Sequence, residues 1–190
     1  METPVRSVED TLLSTRIEAG DMFDRLWETG PALWIPAAWS VVIAARLELV
    51  SARPMFVMHA VMSALLVAFA VASWGEMQSG VLRAWRTVIL VGTPFALAGL
   101  AGFLVPAWAT WLRAAALGGW MLLPAWGFVR TSRVVTEGAW IHVASAGGCL
   151  LGAGLYAGGN IAGIEALRIA GLAVVGVGQT AGILDAVLRY

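Results

Sequence analysis

The chain has 190 residues, of which 59% are hydrophobic and 13% are charged, and its mean hydropathy is +0.81. A soluble domain has about 25% charged residues, so this composition predicts an integral membrane protein that is embedded in the lipid bilayer. The formal net charge is +0 at pH 7, which gives no electrostatic reason for binding nucleic acid or an acidic substrate.

Residues 1–30 form an acidic segment ahead of the apolar part of the chain. Seven of the twelve acidic residues lie there, and apolar residues recur at helical spacing between residues 5 and 28. Ser7 and Asp10 resemble a capping box. We predict an amphipathic helix on the membrane surface, with a partly ordered acidic tail as the alternative.

Six apolar segments follow, and each comes near the roughly 20 residues that cross about 30 Å of hydrocarbon. They are Pro31–Val50, Pro54–Trp74, Thr87–Val105, Ala107–Val129, Gly138–Gly158 and Ile164–Leu188. Arg46 and Glu48 shorten the uncharged part of the first segment, and Pro106 predicts a very tight turn after the third. The predicted fold is an all-α polytopic membrane bundle with six transmembrane helices.

The arginines predict the orientation of the bundle. An N-terminus on the inside places eight arginines on the cytoplasmic side and leaves Arg46, Arg53, Arg113 and Arg168 near the outer face. By the positive-inside rule both termini are then cytoplasmic and the protein lies in the cell membrane.

An internal repeat is suggested by the order of the rarer residues. A shift of 83 residues pairs His59 with His142 and Gly80 with Gly163. Units at 31–105 and 106–190 would each have three spans, an odd number, so the second unit would enter the membrane upside down. Such inverted 3+3 repeats occur within many secondary transporters.

The two histidines raise the hypothesis of a haem or metal site. In antiparallel helices, each histidine near its own helix start, they would lie toward opposite faces, so one metal could not bind both. Met55, Met58, His59 and Met62 lie within neighbouring turns and could hold a soft ion such as Cu(I). The alternative is a methionine-rich packing stripe.

Polar residues inside the spans are the candidates for a substrate or ion pathway, because burying them in lipid is costly. The candidates are His59, His142, Arg113, Thr93, Gln179 and Ser145. Such groups also snorkel to the interface or bond a neighbouring helix or their own backbone. Glu165 and Asp185 lie near helix ends, where we expect them to be solvated. Gly148 and Gly152, and likewise Gly154 and Gly158, predict close helix contacts.

Few chemical functions can be read from these residues. The absence of lysine excludes Schiff-base chemistry, and Cys149 alone excludes an intramolecular disulfide. No catalytic triad, carboxylate pair within a span or phosphate-binding loop is recognisable, so no cofactor is predicted and an enzyme is disfavoured. The first hypothesis is a small-solute or ion permease or channel. The second is a non-catalytic subunit or assembly factor of a larger membrane complex, and the third is a haem or metal binder. The possible protein partners are a second copy of the chain, in a homo-oligomer, or other membrane subunits.

Overall fold

The computed structural model describes residues 30, 32–72, 74–75 and 77–189. The predicted amphipathic helix at residues 5–28 lies outside these residues. Within them, the regular secondary structure is entirely helical. The helices are α1 (Ala32–Arg46), α2 (Ala52–Ala72), α3 (Gly80–Leu104), α4 (Ala109–Ser132), α5 (Ala139–Ala162) and α6 (Glu165–Arg189).

Five of these helices, α2 to α6, are long and apolar enough to cross a membrane. This confirms an all-helical bundle of the kind found in integral membrane proteins. The tight turn predicted at Pro106 is a short 3-10 helix, Pro106–Trp108, that joins α3 to α4. Helix α3 begins at Gly80, before the predicted start at Thr87, so Arg83 and Arg86 lie within the helix.

Helix α1 differs most from its predicted span, Pro31–Val50. It is one of the shorter apolar helices and ends at Arg46. Glu48 follows in the left-handed region with φ of 60°, which stops the helix. At 1.5 Å per residue, Ala32–Arg46 extends about 22 Å, less than the roughly 30 Å of hydrocarbon. Six spans are therefore not shown, whereas five helices are long and apolar enough to be spans.

The helices from α2 to α6 pack mainly against their neighbours in the chain. The core lies in the C-terminal part, where Trp39 of α1, Met121 and Phe128 of α4, Cys149 of α5 and Val175 of α6 form one buried cluster. Helix α2 lies at the edge: Ser63 is its only buried residue. Helix α6 has eight buried residues, so α5 and α6 organise the bundle.

Helices α5 and α6 approach at the level of their backbones. A Cβ built on Gly152 would lie 2.5 Å from the carbonyl oxygen of Gly171 and 2.9 Å from the amide nitrogen of Val175. A Cβ on Gly148 would lie 3.4 Å from the Cα of Gly178, which is an ordinary van der Waals contact. The predicted close contact through Gly148 and Gly152 is present. A Cβ on Gly154 or Gly158 would meet nothing within 4 Å, so these two do not contact another described helix.

The antiparallel order gives the bundle two ends. We call the end with the start of α5 and the end of α6 the Asp185 end, and the opposite one the Glu165 end. Arginines 83, 86, 130, 133 and 189 lie at the Asp185 end, and arginines 46, 53, 113 and 168 lie at the Glu165 end. The described balance is five against four, so the orientation depends on the three arginines of residues 1–29 and stays a prediction.

The contact between α5 and α6 predicts a difference between two alanine substitutions in one helix. Gly152→Ala forces the backbones apart, and we expect it to lower the free energy of unfolding by about 1–3 kcal/mol. Gly154→Ala adds the same methyl group to open space, so it should leave stability unchanged or raise it slightly through helix propensity. Thermal unfolding of both variants in the same detergent, followed by circular dichroism, measures the difference. Equal stability of the two would contradict this packing.

Candidate functional site

His142 is the most deeply buried ionisable side chain at the Asp185 end. It lies in the first turn of α5 and has 0% exposure. Its ring stacks on Phe128 of α4, with centroids 6.1 Å apart and planes at 22°. Gly138, which precedes α5, has φ of 68°, and a Cβ there would lie 2.7 Å from Oδ2 of Asp185. Glycine at this position therefore lets α5 begin directly against α6.

Asp185 of α6 faces His142, and it is 8% exposed. The prediction that Asp185 is solvated is therefore wrong. Its Oδ1 accepts a hydrogen bond from Nε of Arg189 at 2.5 Å. Its Oδ2 lies 3.5 Å from Nε2 of His142, beyond the 2.7–3.2 Å of an N–H···O hydrogen bond, about 2.9 Å being typical. Nη1 of Arg189 also lies 3.7 Å from Oε2 of Glu137.

Ser145 extends this site one turn along α5. Its hydroxyl is buried and faces α6, where a Cβ on Gly182 would come within 2.7 Å of it. Five buried side-chain atoms in the described part of the chain lack a hydrogen-bond partner. Four of them belong to His142, Ser145 and Asp185. We call these three residues the polar cluster. Such atoms are rare in proteins because each costs free energy, so their concentration in one place marks the site.

Near the Phe128 ring, the polar groups of Thr131 and Trp85 have hydrogen-bond partners. The Thr131 hydroxyl accepts a hydrogen bond from Nε1 of Trp85 at 3.1 Å and donates one to the carbonyl of Gly127 at 3.0 Å. Trp85 packs edge-on against Phe128, with centroids 5.1 Å apart. The aromatic wall next to His142 is thus held in place by contacts that do not involve its ring nitrogens.

Gln179 lies nearer the middle of α6, and both the oxygen and the nitrogen of its side-chain amide form hydrogen bonds. Its Oε1 accepts a hydrogen bond from Nε1 of Trp39 at 3.0 Å, and its Nε2 donates one to the carbonyl of Trp120 at 2.8 Å. The amide therefore joins α1, α4 and α6. At the Glu165 end, Arg46 donates two hydrogen bonds to the Glu165 carboxylate, at 2.6 and 2.5 Å. The Trp39–Gln179 and Arg46–Glu165 contacts attach the short helix α1 to α6.

The structure separates the other predicted pathway residues from the polar cluster. His59 contacts the C-terminal part of α3, where its ring lies 5.3 Å from that of Phe103. Arg113 lies over the same Phe103 ring at 5.4 Å, so His59 and Arg113 share an aromatic neighbour near the Glu165 end. Thr93 donates to its own helix, to the carbonyl of Ile89 at 2.8 Å. Of the six predicted residues, only His142 and Ser145 belong to the polar cluster.

The two histidines lie toward opposite ends of the bundle, so a single haem or metal ion cannot bind both. Their surroundings also differ, since Nδ1 of His59 donates to the carbonyl of Met55 at 2.9 Å. This contact uses the backbone of its own helix, whereas His142 faces a carboxylate of another helix. The repeat that pairs the two histidines, and with it the units 31–105 and 106–190, stays a prediction.

The methionines of the predicted soft-metal site lie on α2. Met58 and Met62 line an open apolar hollow of about 510 Å³ together with Arg53, Val57 and Val61. The His59 ring instead faces Gly99 and Phe103 of α3. No group of three or more His, Cys, Asp or Glu side chains that could hold a metal occurs in the part of the chain that the structure describes. The site at Met55, Met58, His59 and Met62 stays a prediction.

Sequence reasoning missed Asp185, although a helical-face signal was present. His142, Ser145 and Cys149 recur at spacings of three and four, so they share a face of α5. Gly178, Gly182 and Asp185 do the same on α6. Pairing the polar face of one helix with the glycine face of its antiparallel neighbour would have placed the carboxylate beside the histidine.

Comparisons with known proteins do not identify the chain. No protein-family model matches it, and neither a curated protein nor a solved structure gives a match. The functional argument therefore rests on the residues themselves.

The contacts of Gln179 predict a specific pattern of stability. Trp39→Phe leaves a buried amide oxygen without its donor, which should cost about 1–3 kcal/mol of unfolding free energy. Gln179→Leu added to Trp39→Phe removes the unpaired group, so the double variant should lose less than the sum of the single losses. Trp140→Phe, at a residue with 73% exposure, is the control and should change little.

Detergent stability of the three variants and of Gln179→Leu completes this double-mutant cycle. Strict additivity would show that Trp39 and Gln179 do not interact, and α1 would then need another attachment to α6.

Proposed function

We propose that this chain is a small permease or channel of the cell membrane that moves protons or proton-coupled ions. The polar cluster is the place where the ion is handled. Five long apolar helices support insertion in a bilayer. Among the predicted pathway residues, His142 and Ser145 carry the proposal, and Asp185 joins them.

The single observation behind this proposal is the cost of the polar cluster. By insertion scales a charged residue at the centre of a membrane helix costs roughly 2.5–3.5 kcal/mol, and burying a polar group without a hydrogen bond is costly in any apolar surroundings. A site needed only for packing is filled as well or better by apolar residues of similar size. His142 and Asp185 instead leave three buried polar atoms without a hydrogen bond, and two of these, Nε2 and Oδ2, face each other at 3.5 Å. Function is the usual reason for tolerating such a cost.

The dimensions of the α5–α6 contact favour a proton over a larger solute. Beyond Ser145 the two backbones meet at Gly148 and Gly178, and then at Gly152 and Gly171. A Cβ alone does not fit at Gly152, so a hydrated solute cannot pass between these helices there. A proton needs only ionisable or hydrogen-bonding groups, and the polar cluster provides them.

The Asp185 end is proposed to face the cytoplasm. This is the orientation that the arginine count of the whole chain predicts. Glu137 and Arg189 carry charge at this end, and their side chains are 83% and 42% exposed. They connect the polar cluster to the aqueous phase, so protons would reach His142 from the cytoplasmic side.

A second candidate function, a subunit or assembly factor, is favoured by helix α2. Among the described helices α2 packs mainly on α3, and it buries only Ser63. Its outer face carries Val57, Val61 and Val71, and each of these side chains is at least half exposed. Lipid covers such a face equally well, so this candidate requires a partner protein that co-purifies stoichiometrically.

The proposed transport predicts proton flux in vesicles that contain only this protein. Reconstituted protein in liposomes with an internal pH-sensitive dye should conduct protons when valinomycin and a potassium gradient impose a potential. His142→Gln and Asp185→Asn should reduce the rate at least about tenfold, equivalent to about 1.4 kcal/mol in the barrier. Thr87→Val is the control, because the exposed Thr87 hydroxyl bonds only the carbonyl of Arg83 among the contacts found for it.

Each variant is compared at equal incorporation after size-exclusion chromatography, so that loss of folding is not mistaken for loss of flux. Proton flux no faster than in empty liposomes would refute transport by this protein alone. Flux that is equal in the parent and in both cluster variants would place the pathway elsewhere.

A further inference from the structure

We infer that His142 and Asp185 form a proton-binding site in which Oδ2 of Asp185 accepts a hydrogen bond from Nε2 of His142 when the imidazole becomes protonated. This inference deepens the proposed function and rests on it for its physiological meaning. It assigns the binding event to one pair of side chains and gives Arg189 the role of a neighbouring positive charge that opposes protonation.

The two carboxylate oxygens of Asp185 have different surroundings. Oδ1 is held by Arg189 at 2.5 Å, while Oδ2 points to Nε2 of His142 at 3.5 Å without a hydrogen bond. An approach of about 0.5 Å would bring Nε2 and Oδ2 to a normal hydrogen-bond distance. The pair is therefore close enough to bond after a small movement of one side chain.

Protonation of the His142 imidazole favours that movement. A neutral imidazole has one N–H donor and one acceptor nitrogen, whereas imidazolium has two donors and a positive charge. A charge-assisted hydrogen bond to a carboxylate is about twice as strong as a neutral one. The added proton comes from the aqueous phase at the Asp185 end and stays on the ring, and no covalent bond other than the new N–H changes.

The groups that face His142 determine which carboxylate can balance its charge. Helix α6 contributes Asp185 and Arg189, and the segment before α5 contributes Glu137. Helix α4 contributes the Phe128 ring, and Trp85 of α3 packs against that ring; neither side chain ionises at neutral pH. Within the described residues, Asp185 is thus the carboxylate in direct reach of the ring.

Arg189 lies near a second carboxylate, since its Nη1 is 3.7 Å from Oε2 of Glu137. With His142 neutral, the side chains of Glu137, Asp185 and Arg189 sum to one negative charge. With His142 protonated, the four side chains sum to zero. Among these four groups the protonated arrangement is therefore the neutral one, and the negative charge of Glu137 favours it.

The test observes the imidazole directly, independent of transport. The chain has two histidines, so His59→Gln protein labelled with nitrogen-15 histidine has a single imidazole whose signals report His142. Full-length protein in nanodiscs is titrated with pH. We expect one titration, and Asp185→Asn should move its midpoint down by about one pH unit or more, because the balancing negative charge is lost.

Two further variants test the neighbouring charges through residues that are partly or largely exposed. Arg189→Gln should raise the midpoint, because a positive charge that repels the imidazolium is gone. Glu137→Gln should lower it, because a negative charge that favours the imidazolium is lost. Arg133→Gln removes the same charge as Arg189→Gln at the same end but from an exposed residue outside the cluster, and it should shift the midpoint much less.

The inference is overturned if Arg189→Gln moves the midpoint no more than Arg133→Gln, or if His142 does not titrate between about pH 4 and pH 9, a range that brackets ordinary carboxyl and imidazole values. The predicted pattern of shifts together with absent proton flux would support the binding site and refute transport. Flux that depends on Asp185 while His142 remains neutral throughout would refute proton binding at His142 and leave the proposed function standing.

Discussion

The contact between the backbones of α5 and α6 fixes the rest of the described bundle. Gly152 and Gly171 allow an approach that no side chain would permit, and dispersion contacts over this surface replace the hydrophobic force that is missing within lipid. The same contact fixes the register of the two helices. Because α6 is held against α5 at Gly171, Asp185 falls beside the first turn of α5 and faces His142. The polar cluster is thus a consequence of glycine packing elsewhere in the hairpin.

The remaining helices depend on this hairpin to different degrees. Helix α4 packs along it and contributes the Phe128 ring over His142, while α1 is attached through Trp39 and Arg46. Helix α2 contacts mainly α3 and lies farthest from the core. Stability should therefore decrease from the C-terminal hairpin toward α2, since buried contact area is the main source of local stability.

Hydropathy was sufficient to predict five of the helices, because lipid requires each span to satisfy its own backbone over a known thickness. It overestimated the length of α1, which ends at Arg46 before the left-handed Glu48. It also misplaced Asp185. A carboxylate four residues before Arg189 at a helix end is usually solvated, and its burial follows only from the rotation of α6 against α5. Burial of that kind is a property of the pair of helices and cannot be read from either one alone.

The depth of the polar cluster distinguishes a permease from an open channel under the proposed function. His142 lies three residues after Ala139, the first residue of α5, which is only about 5 Å along the helix axis at 1.5 Å per residue. A proton from the Asp185 end therefore has a short path, with Glu137 and Arg189 at its entrance. Toward the Glu165 end the α5–α6 interface is closed by Gly148, Gly152 and their partners. Along the α5–α6 interface, a site that is near one end and closed toward the other transmits an ion only if the packing changes between two arrangements. Formation of the His142–Asp185 hydrogen bond on protonation would act at the end of α6, where a small displacement can be passed along the helix to the contacts at Gly148 and Gly152.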